Sequence, residues 1–252
     1  MITAYRRLKI ELSRHKSEYV IFLISLIIPT IICILSLNAF LEITEKMRAD
    51  ELLNFDNHIT DFVYQYRSEG FTKVVTFITD LGDVTAYLII IPIIAALLYF
   101  RGHRWKVALQ ATLVLSTSFL LNIGIKEILA RPRPIEDMRL VAIHTHSYSF
   151  PSGHSMSAMA FYGFLVYLTY KYMKNRWAKI GLIVLEISLI IMIGLSRVYL
   201  GVHYPSDVLA GFLGGFIWII VCIVIFKFIN FYRKRRNEKV QPGGMTPETE
   251  EE

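Results

Sequence analysis

An all-α fold is predicted, a polytopic membrane bundle of about six transmembrane helices with an amphipathic helix on the outer surface. Three observations predict it. Hydrophobic residues make up 54% of the 252, against roughly 45–50% in soluble domains, and the excess lies in long runs. Basic residues gather at the ends of those runs. The polar residues best suited to chemistry also sit at run ends rather than within them.

Crossing a hydrocarbon core of about 30 Å takes roughly 20 helical residues. The candidate runs are Tyr19–Leu41, Val84–Phe100, Trp105–Lys126, Ser155–Tyr172, Trp177–Leu195 and Val208–Ile229. The first is longer than a signal-peptide core of about 7–15 residues and reads as a retained anchor. Pro29 and Pro92 are tolerated inside lipid-embedded helices. Between the first two runs, Leu52, Phe55, Ile59, Phe62, Val63 and Tyr66 recur at helical spacing, which predicts the amphipathic helix. Packing against the bundle is favoured for it over a role in docking substrate. Cys33 and Cys222 lie inside apolar runs and lack metal-ligand spacing, so they read as small apolar residues and not as a disulfide.

Orientation follows from the cations. They cluster at Arg6, Arg7, Lys9, Arg14 and Lys16, then Arg101, Arg104 and Lys106, then Lys171, Lys174, Arg176 and Lys179, and finally Arg233 to Arg236. With six alternating helices all four clusters share one side, which is the cytoplasm by the positive-inside rule. The net charge of +6 therefore reads as membrane orientation, with the bilayer and not nucleic acid as partner. The expected protein is a multi-pass protein of the cytoplasmic membrane with both termini cytoplasmic. Residues 1–232 are expected to form a single domain. Residues 233–252, basic and then acidic, are expected to be a disordered tail. Protein partners are not specified.

Three motifs hold the reactive side chains. Lys126 ends the third run, with Arg133-Pro134 beyond it; Pro151-Ser152-Gly153-His154 opens the fourth; Ser196-Arg197 follows the fifth, and His203 and Asp207 lead into the sixth. Alternation puts all of these on the face opposite the basic loops. The inventory suits cleavage of a phosphate ester without a metal. Lys126, Arg133 and Arg197 can neutralise phosphoryl oxygens, with arginine suited to bidentate contact and lysine acting as a point charge. Gly153 lets backbone N–H groups approach an anion at a helix N-terminus that adds roughly half a positive charge. Ser152 can cap that helix and donate to phosphate. Two imidazoles allow one to attack phosphorus and the other to protonate the leaving oxygen. Asp207, four residues after His203, can hold its Nδ1–H in the manner of a triad carboxylate.

Each of these residues has a duller reading when taken alone. Lys126 and Arg197 can be snorkelling cations, Ser152 and Asp207 caps, and His203 an interfacial histidine. His144 and His146 allow a metal reading, set aside because the metal-free set is complete beside them. Arg131-Pro132 repeats the Arg133-Pro134 dipeptide, but spacing from Lys126 selects Arg133 and leaves Arg131 auxiliary. Glu186 lies mid-run, where a charge is expensive. A hydrogen-bonded structural role, with Asn122 as partner, is favoured for it over a proton path.

The pattern Lys126-x6-Arg133-Pro134, Pro151-Ser152-Gly153-His154, Ser196-Arg197-x5-His203-x3-Asp207 resembles the type 2 phosphatidic acid phosphatase (PAP2) family. That family includes undecaprenyl pyrophosphate phosphatases, phosphatidylglycerophosphate phosphatases and glucose-6-phosphatases, and shares its motif with vanadium haloperoxidases. The segment Thr79-Asp80-Leu81-Gly82 also looks like bacterial members. The resemblance implies His203 as nucleophile, His154 as general acid and Asp207 as the partner of His203. It implies phosphate contacts from Lys126, Arg133, Ser152, Gly153 and Arg197, a six-helix bundle, and no metal or cofactor. The expected activity is hydrolysis of a lipid phosphate or diphosphate at the outer membrane face through a phosphohistidine. Undecaprenyl diphosphate is the favoured substrate, with phosphatidylglycerophosphate or phosphatidate as the alternative. A non-enzymatic transporter would need a polar path across the bundle, for which only Glu186 and Asn122 are obvious. A metavanadate-dependent oxidase is disfavoured because its relatives are soluble.

Overall fold

Long apolar runs form long helices here because a backbone surrounded by lipid satisfies its N–H and C=O groups within the helix itself. The computed structural model describes residues 2–100, 106–141 and 148–240. They form α1 (Ile2–Arg48), α2 (Leu53–Tyr64), α3 (Glu69–Asp80), α4 (Val84–Phe100), α5 (Lys106–Leu129), a 3-10 turn at Glu136–Met138, α6 (Gly153–Tyr172), α7 (Arg176–Tyr199) and α8 (Pro205–Val240). His144, His146, Arg101, Arg104 and the acidic tail 241–252 lie outside the described residues.

Among the described residues, four helices are long and apolar enough to cross a membrane: Tyr19–Arg48, Lys106–Leu129, Arg176–Tyr199 and Pro205–Arg233. The pair α3 and α4, bent by 56°, makes a fifth if it counts as one broken span. The expected count of six is thus not reached on these criteria. α4 alone has only 17 residues. α6 opens with a polar stretch, yet Ser155, Met156, Ser157, Ala158, Ala160, Phe161 and Phe164 along it are buried. A helix enclosed by protein need not be apolar all round. By contrast, Ile21, Ile28 and Leu35 on α1 are 64%, 69% and 63% exposed, a face suited to lipid.

The single amphipathic helix expected after the first span is two helices. α2 and α3 are separated at residues 65–68, where Ser68 caps α3 by accepting from the Phe71 N–H at 3.3 Å. Both pack on α7. Val75 of α3 joins Tyr199, Leu200 and Val202 in a buried cluster that Val63 of α2 flanks. Arg67, between the two helices, donates to the Tyr199 carbonyl through Nε and Nη2 at 2.9 and 2.6 Å.

The chain groups into two compact units, one of the start of α1 with the end of α8, the other of Ile31–Ile219. In the first, Phe22 stacks on Phe231 with ring centroids 4.3 Å apart. α8 continues to Val240, so the expected boundary at 232/233 falls within an unbroken hydrogen-bonded helix. In the second unit, α6 packs against α5 and α7. α8 crosses α6 closely at Gly211 and Gly215. A Cβ at Gly211 would sit 2.7 Å from the Ser152 carbonyl oxygen, and one at Gly215 would sit 2.5 Å from that of Met156. Glycines four apart thus let two backbones approach, a device common between membrane helices.

The expected Glu186–Asn122 pairing does not occur. Glu186 Oε1 accepts from Thr169 Oγ1 at 2.9 Å, while Asn122 Nδ2 donates to the Pro151 carbonyl at 3.2 Å. Asn122 lies one turn before Lys126, level with the start of α6. Glu186 is eleven residues before Arg197, about 16 Å along the helix at 1.5 Å per residue.

Candidate active site

Backbone hydrogen bonds fasten the three motifs to one another. The Ser152 N–H, at the start of α6, donates to the Asp207 carbonyl at 2.9 Å. In the segment that follows α5, Arg131 accepts from the Ser149 N–H at 2.8 Å, and the Pro132 carbonyl accepts from Ser149 Oγ at 2.9 Å. The Leu140 N–H donates to the Leu200 carbonyl at 3.0 Å. Gly201 makes the turn after α7 with φ +73, and a Cβ there would meet the Met138 carbonyl oxygen at 2.2 Å. Here the left-handed backbone and the close approach both require glycine.

Each cation is held by a neutral acceptor. Lys126 Nζ, on a residue 9% exposed, donates to the Tyr148 carbonyl. Arg133 Nη1 donates to the Val202 carbonyl at 3.0 Å. Arg197 Nη1 donates to Thr79 Oγ1 at 2.8 Å, and its buried Nε has no hydrogen-bond partner among the described residues. Thr79 belongs to the segment singled out in the sequence. At its end, Gly82 leaves room for Ile193 and for the His154 ring, whose Cδ2 would lie 3.4 Å from a Cβ at Gly82. His154, second residue of α6, lies within electrostatic reach of Arg197, His203, Arg133 and Lys126. Ser152 is the N-cap of α6, its hydroxyl accepting from the Ser155 N–H at 3.4 Å and contacting Ser155 Oγ at 3.0 Å. A Cβ at Gly153 would meet Asn122 Oδ1 at 3.1 Å.

His203 is 3% exposed. Its Nδ1 lies 3.3 Å from Asp207 Oδ2, and its Nε2 lies 3.3 Å from Arg133 Nη1. A guanidinium has donors only, so Nε2 must accept. The proton of neutral His203 therefore sits on Nδ1 and is donated to Asp207. Burial, followed by the charges of Arg133, Lys126 and Arg197, pushes the imidazole well below its ordinary value. The ring is thus neutral at pH 7, with the Nε2 lone pair facing the cations.

Arg131, expected to be auxiliary to Arg133, meets two carboxylates. Nη1 donates to Asp207 Oδ1 at 2.6 Å and to Ser206 Oγ at 2.8 Å, and Nη2 donates to Asp56 Oδ2 at 2.8 Å. Asp56, on α2, also accepts from the Ser206 N–H at 2.8 Å and from Ser206 Oγ at 2.7 Å. Asp56 was missed altogether, although one signal existed. It stands one turn from both Leu52 and Ile59, a carboxylate on the apolar face of an amphipathic helix.

The site therefore brings Lys126, Arg133, Ser152, Gly153, His154, Arg197, His203 and Asp207 to one end of the helices. The family model described as the PAP2 superfamily matches residues 105–231. The chain belongs to this family. Among PAP2 relatives, it is 35% identical over 175 residues to phosphatidylglycerophosphatase B of Bacillus subtilis, covering 69% of this chain and 84% of that protein. It is 34% identical over 128 residues to an undecaprenyl-diphosphatase of Sulfolobus acidocaldarius, covering 50% of this chain and 57% of that one. The crystal structure of a transmembrane PAP2 type phosphatidylglycerolphosphate phosphatase from Bacillus subtilis superposes with a TM-score of 0.69 at 30% identity, over 84% of this chain and 98% of that one. The protein is a multi-pass membrane phosphatase of the PAP2 superfamily.

The Thr79–Arg197 bond joins α3 to the end of α7. Thr79→Val keeps the shape and removes the acceptor. A hydrogen bond to a charged group contributes roughly 1.5–3 kcal/mol, so thermal unfolding in detergent should show a loss of about that size. Thr79→Ser should unfold close to wild type. Equal losses in the two variants would mean that the bond contributes nothing to the fold.

Proposed function

We propose that this PAP2 protein hydrolyses lipid phosphates at the outer face of the membrane through a phosphohistidine on His203. The observation that carries the reading is the His203 imidazole, its Nδ1 3.3 Å from Asp207 and its Nε2 facing the Arg133 guanidinium. Nε2 attacks phosphorus while the bond from phosphorus to the lipid-side oxygen breaks, and His154 gives its proton to that oxygen. Water then attacks the phosphohistidine, His154 takes a water proton, the N–P bond breaks and inorganic phosphate leaves. Asp207 holds the Nδ1 proton throughout and stabilises the charge that His203 acquires. Lys126, Arg133 and Arg197, with the Ser152–Gly153 start of α6, seat the phosphoryl oxygens. The unspent Nε donor of Arg197 supports this placement. The three cations and the helix start supply the positive charge that Mg²⁺ supplies in other phosphoryl transfers.

For the lipid, phosphatidylglycerophosphate is placed first. Phosphatidylglycerophosphatase B matches at 35% identity over 84% of its length, against 34% over 57% and 28% over 76% for two undecaprenyl-diphosphatases. Undecaprenyl diphosphate, favoured on topology alone, is the second reading. A purified-protein panel of these two lipids and phosphatidate, compared by kcat/KM in excess EDTA, tests both. Phosphate release should survive the chelator, and His203→Ala should abolish it. Asp207→Asn should lose on the order of 10²–10⁴ in kcat with little change in KM. A divalent-metal requirement, or a change in KM alone for Asp207→Asn, would contradict the mechanism.

The pH profile has a definite sign. Lowering pH through the folded value protonates Nε2 and removes the nucleophile. Burial and the neighbouring cations hold that value below the ordinary 6.5. After correction for substrate ionisation, the acid limb of kcat/KM, set by His203, should lie below about pH 6.5, and loss of the His154 proton sets a separate alkaline limb. An acid limb centred above it would place a different group in this role.

Orientation can be read with thiol labels in a protein lacking Cys33 and Cys222. Glu136, beside the site with an 88% exposed side chain, and Lys174, exposed between α6 and α7, lie at opposite ends of α6. In intact cells an impermeant reagent should label Glu136→Cys and spare Lys174→Cys. The reverse pattern would put the site on the cytoplasmic side.

A further inference from the structure

Asp207 has a competitor for its charge. Arg131 Nη1 lies 2.6 Å from its Oδ1, closer than the 3.3 Å between His203 Nδ1 and Oδ2. A guanidinium paired with one carboxylate cancels it. Such a pair alone would leave Asp207 with little charge to stabilise a cationic His203. The other arm of the same guanidinium meets a second carboxylate, Asp56, at 2.8 Å. Both carboxylate side chains are 0% exposed, and that of Arg131 is 9% exposed. In this setting charges interact far more strongly than in water.

The formal charges are informative. Arg131 with Asp56 and Asp207 carries one net negative charge while His203 is neutral. That charge is balanced when His203 becomes a cation. Asp56 is fixed for the purpose, since both its oxygens accept from Ser206 at the start of α8, through the N–H at 2.8 Å and the hydroxyl at 2.7 Å. Arg131 is fixed by stacking over the Tyr204 ring, 4.2 Å from its centroid. Asp207 Oδ2 also accepts from the Tyr204 N–H at 3.0 Å, so Asp207 cannot turn away from His203 without breaking several bonds.

Resting on the nucleophilic role proposed for His203, we propose that Arg131 and Asp56 are positioning residues for it. Arg131 locks the Asp207 carboxylate in place, and Asp56 neutralises Arg131 so that Asp207 keeps its charge for the imidazole. Neither residue touches the phosphate.

The test uses the full-length protein in detergent with the lipid panel above. Asp56→Asn keeps the shape and an acceptor for Ser206 but removes the charge. It should lower kcat by roughly 10- to 100-fold with KM within about twofold. The double variant Asp56→Asn/Arg131→Gln removes both charges, frees Asp207 from its competitor, and should recover kcat several-fold over Asp56→Asn. A purely structural role makes the opposite forecast, a double variant as impaired as the single or more so, and that result would overturn the proposal. So would a rise in KM with kcat intact. A second readout needs no turnover. In protein labelled with ¹⁵N-histidine, the His203 Nδ1 proton resonance should move upfield in Asp56→Asn and return towards wild type in the double variant. An unmoved resonance is contrary to the proposal. If the wild type released phosphate from none of the lipids, the proposed function would fail, while the resonance would still decide the role of Asp56. Should Asp56→Asn not fold, Asp56→Ser replaces it, which also removes the charge that neutralises Arg131, so the same kcat loss and upfield shift are expected, and unchanged values would overturn the proposal.

Discussion

Lys126, Arg133 and Arg197 are held together out of bulk water, and like charges in such a place repel. Much of the architecture of the site answers to that repulsion. The cations are held by neutral acceptors: the carbonyls of Tyr148 and Val202 and the hydroxyl of Thr79. The buried carboxylates instead engage Arg131, set back behind His203. Under the proposed function, the arriving phosphate brings negative charge to these three cations and eases their repulsion.

The backbone supports this arrangement through parts far apart in the chain. α5 contributes Lys126 and, through Asn122, holds the Pro151 carbonyl ahead of α6. α7 contributes Arg197 and then turns at Gly201 under Met138. α8 approaches α6 through Gly211 and Gly215, which brings Asp207 to the Ser152 N–H. α1 presents exposed apolar side chains such as Ile21, Ile28 and Leu35, while much of α6 is buried. The candidate site lies where chain leaves the spans and non-helical backbone can be satisfied by protein.

Much of this was legible in the sequence. Lys126, Arg133, His154, Arg197, His203 and Asp207 are polar residues at the ends of apolar runs, and alternation alone sends such ends to one face. The family likeness rested on the same residues. The span count was less legible. α6 reads as a span by length, but its polar, enclosed start depends on neighbours that a hydropathy pattern does not contain. Arg131 and Arg133 sit in identical Arg-Pro dipeptides, and spacing cannot tell that one meets two carboxylates and the other an imidazole. Asp56 contacts Ser206 across 150 positions of chain, a separation that local pattern does not bridge. The partner of Glu186 was misjudged because depth in the membrane, and not polarity, decides which residues can meet.

In the proposed mechanism His203 becomes covalently phosphorylated. The direct measurement is rapid alkaline quench during turnover of lipid labelled in its phosphate, followed by peptide mapping. An acid-labile, alkali-stable phosphoryl group is expected on the peptide holding His203, formed and lost at rates no slower than steady-state turnover and absent in His203→Ala. Phosphate release with no label on that peptide, or label on another residue, would contradict it.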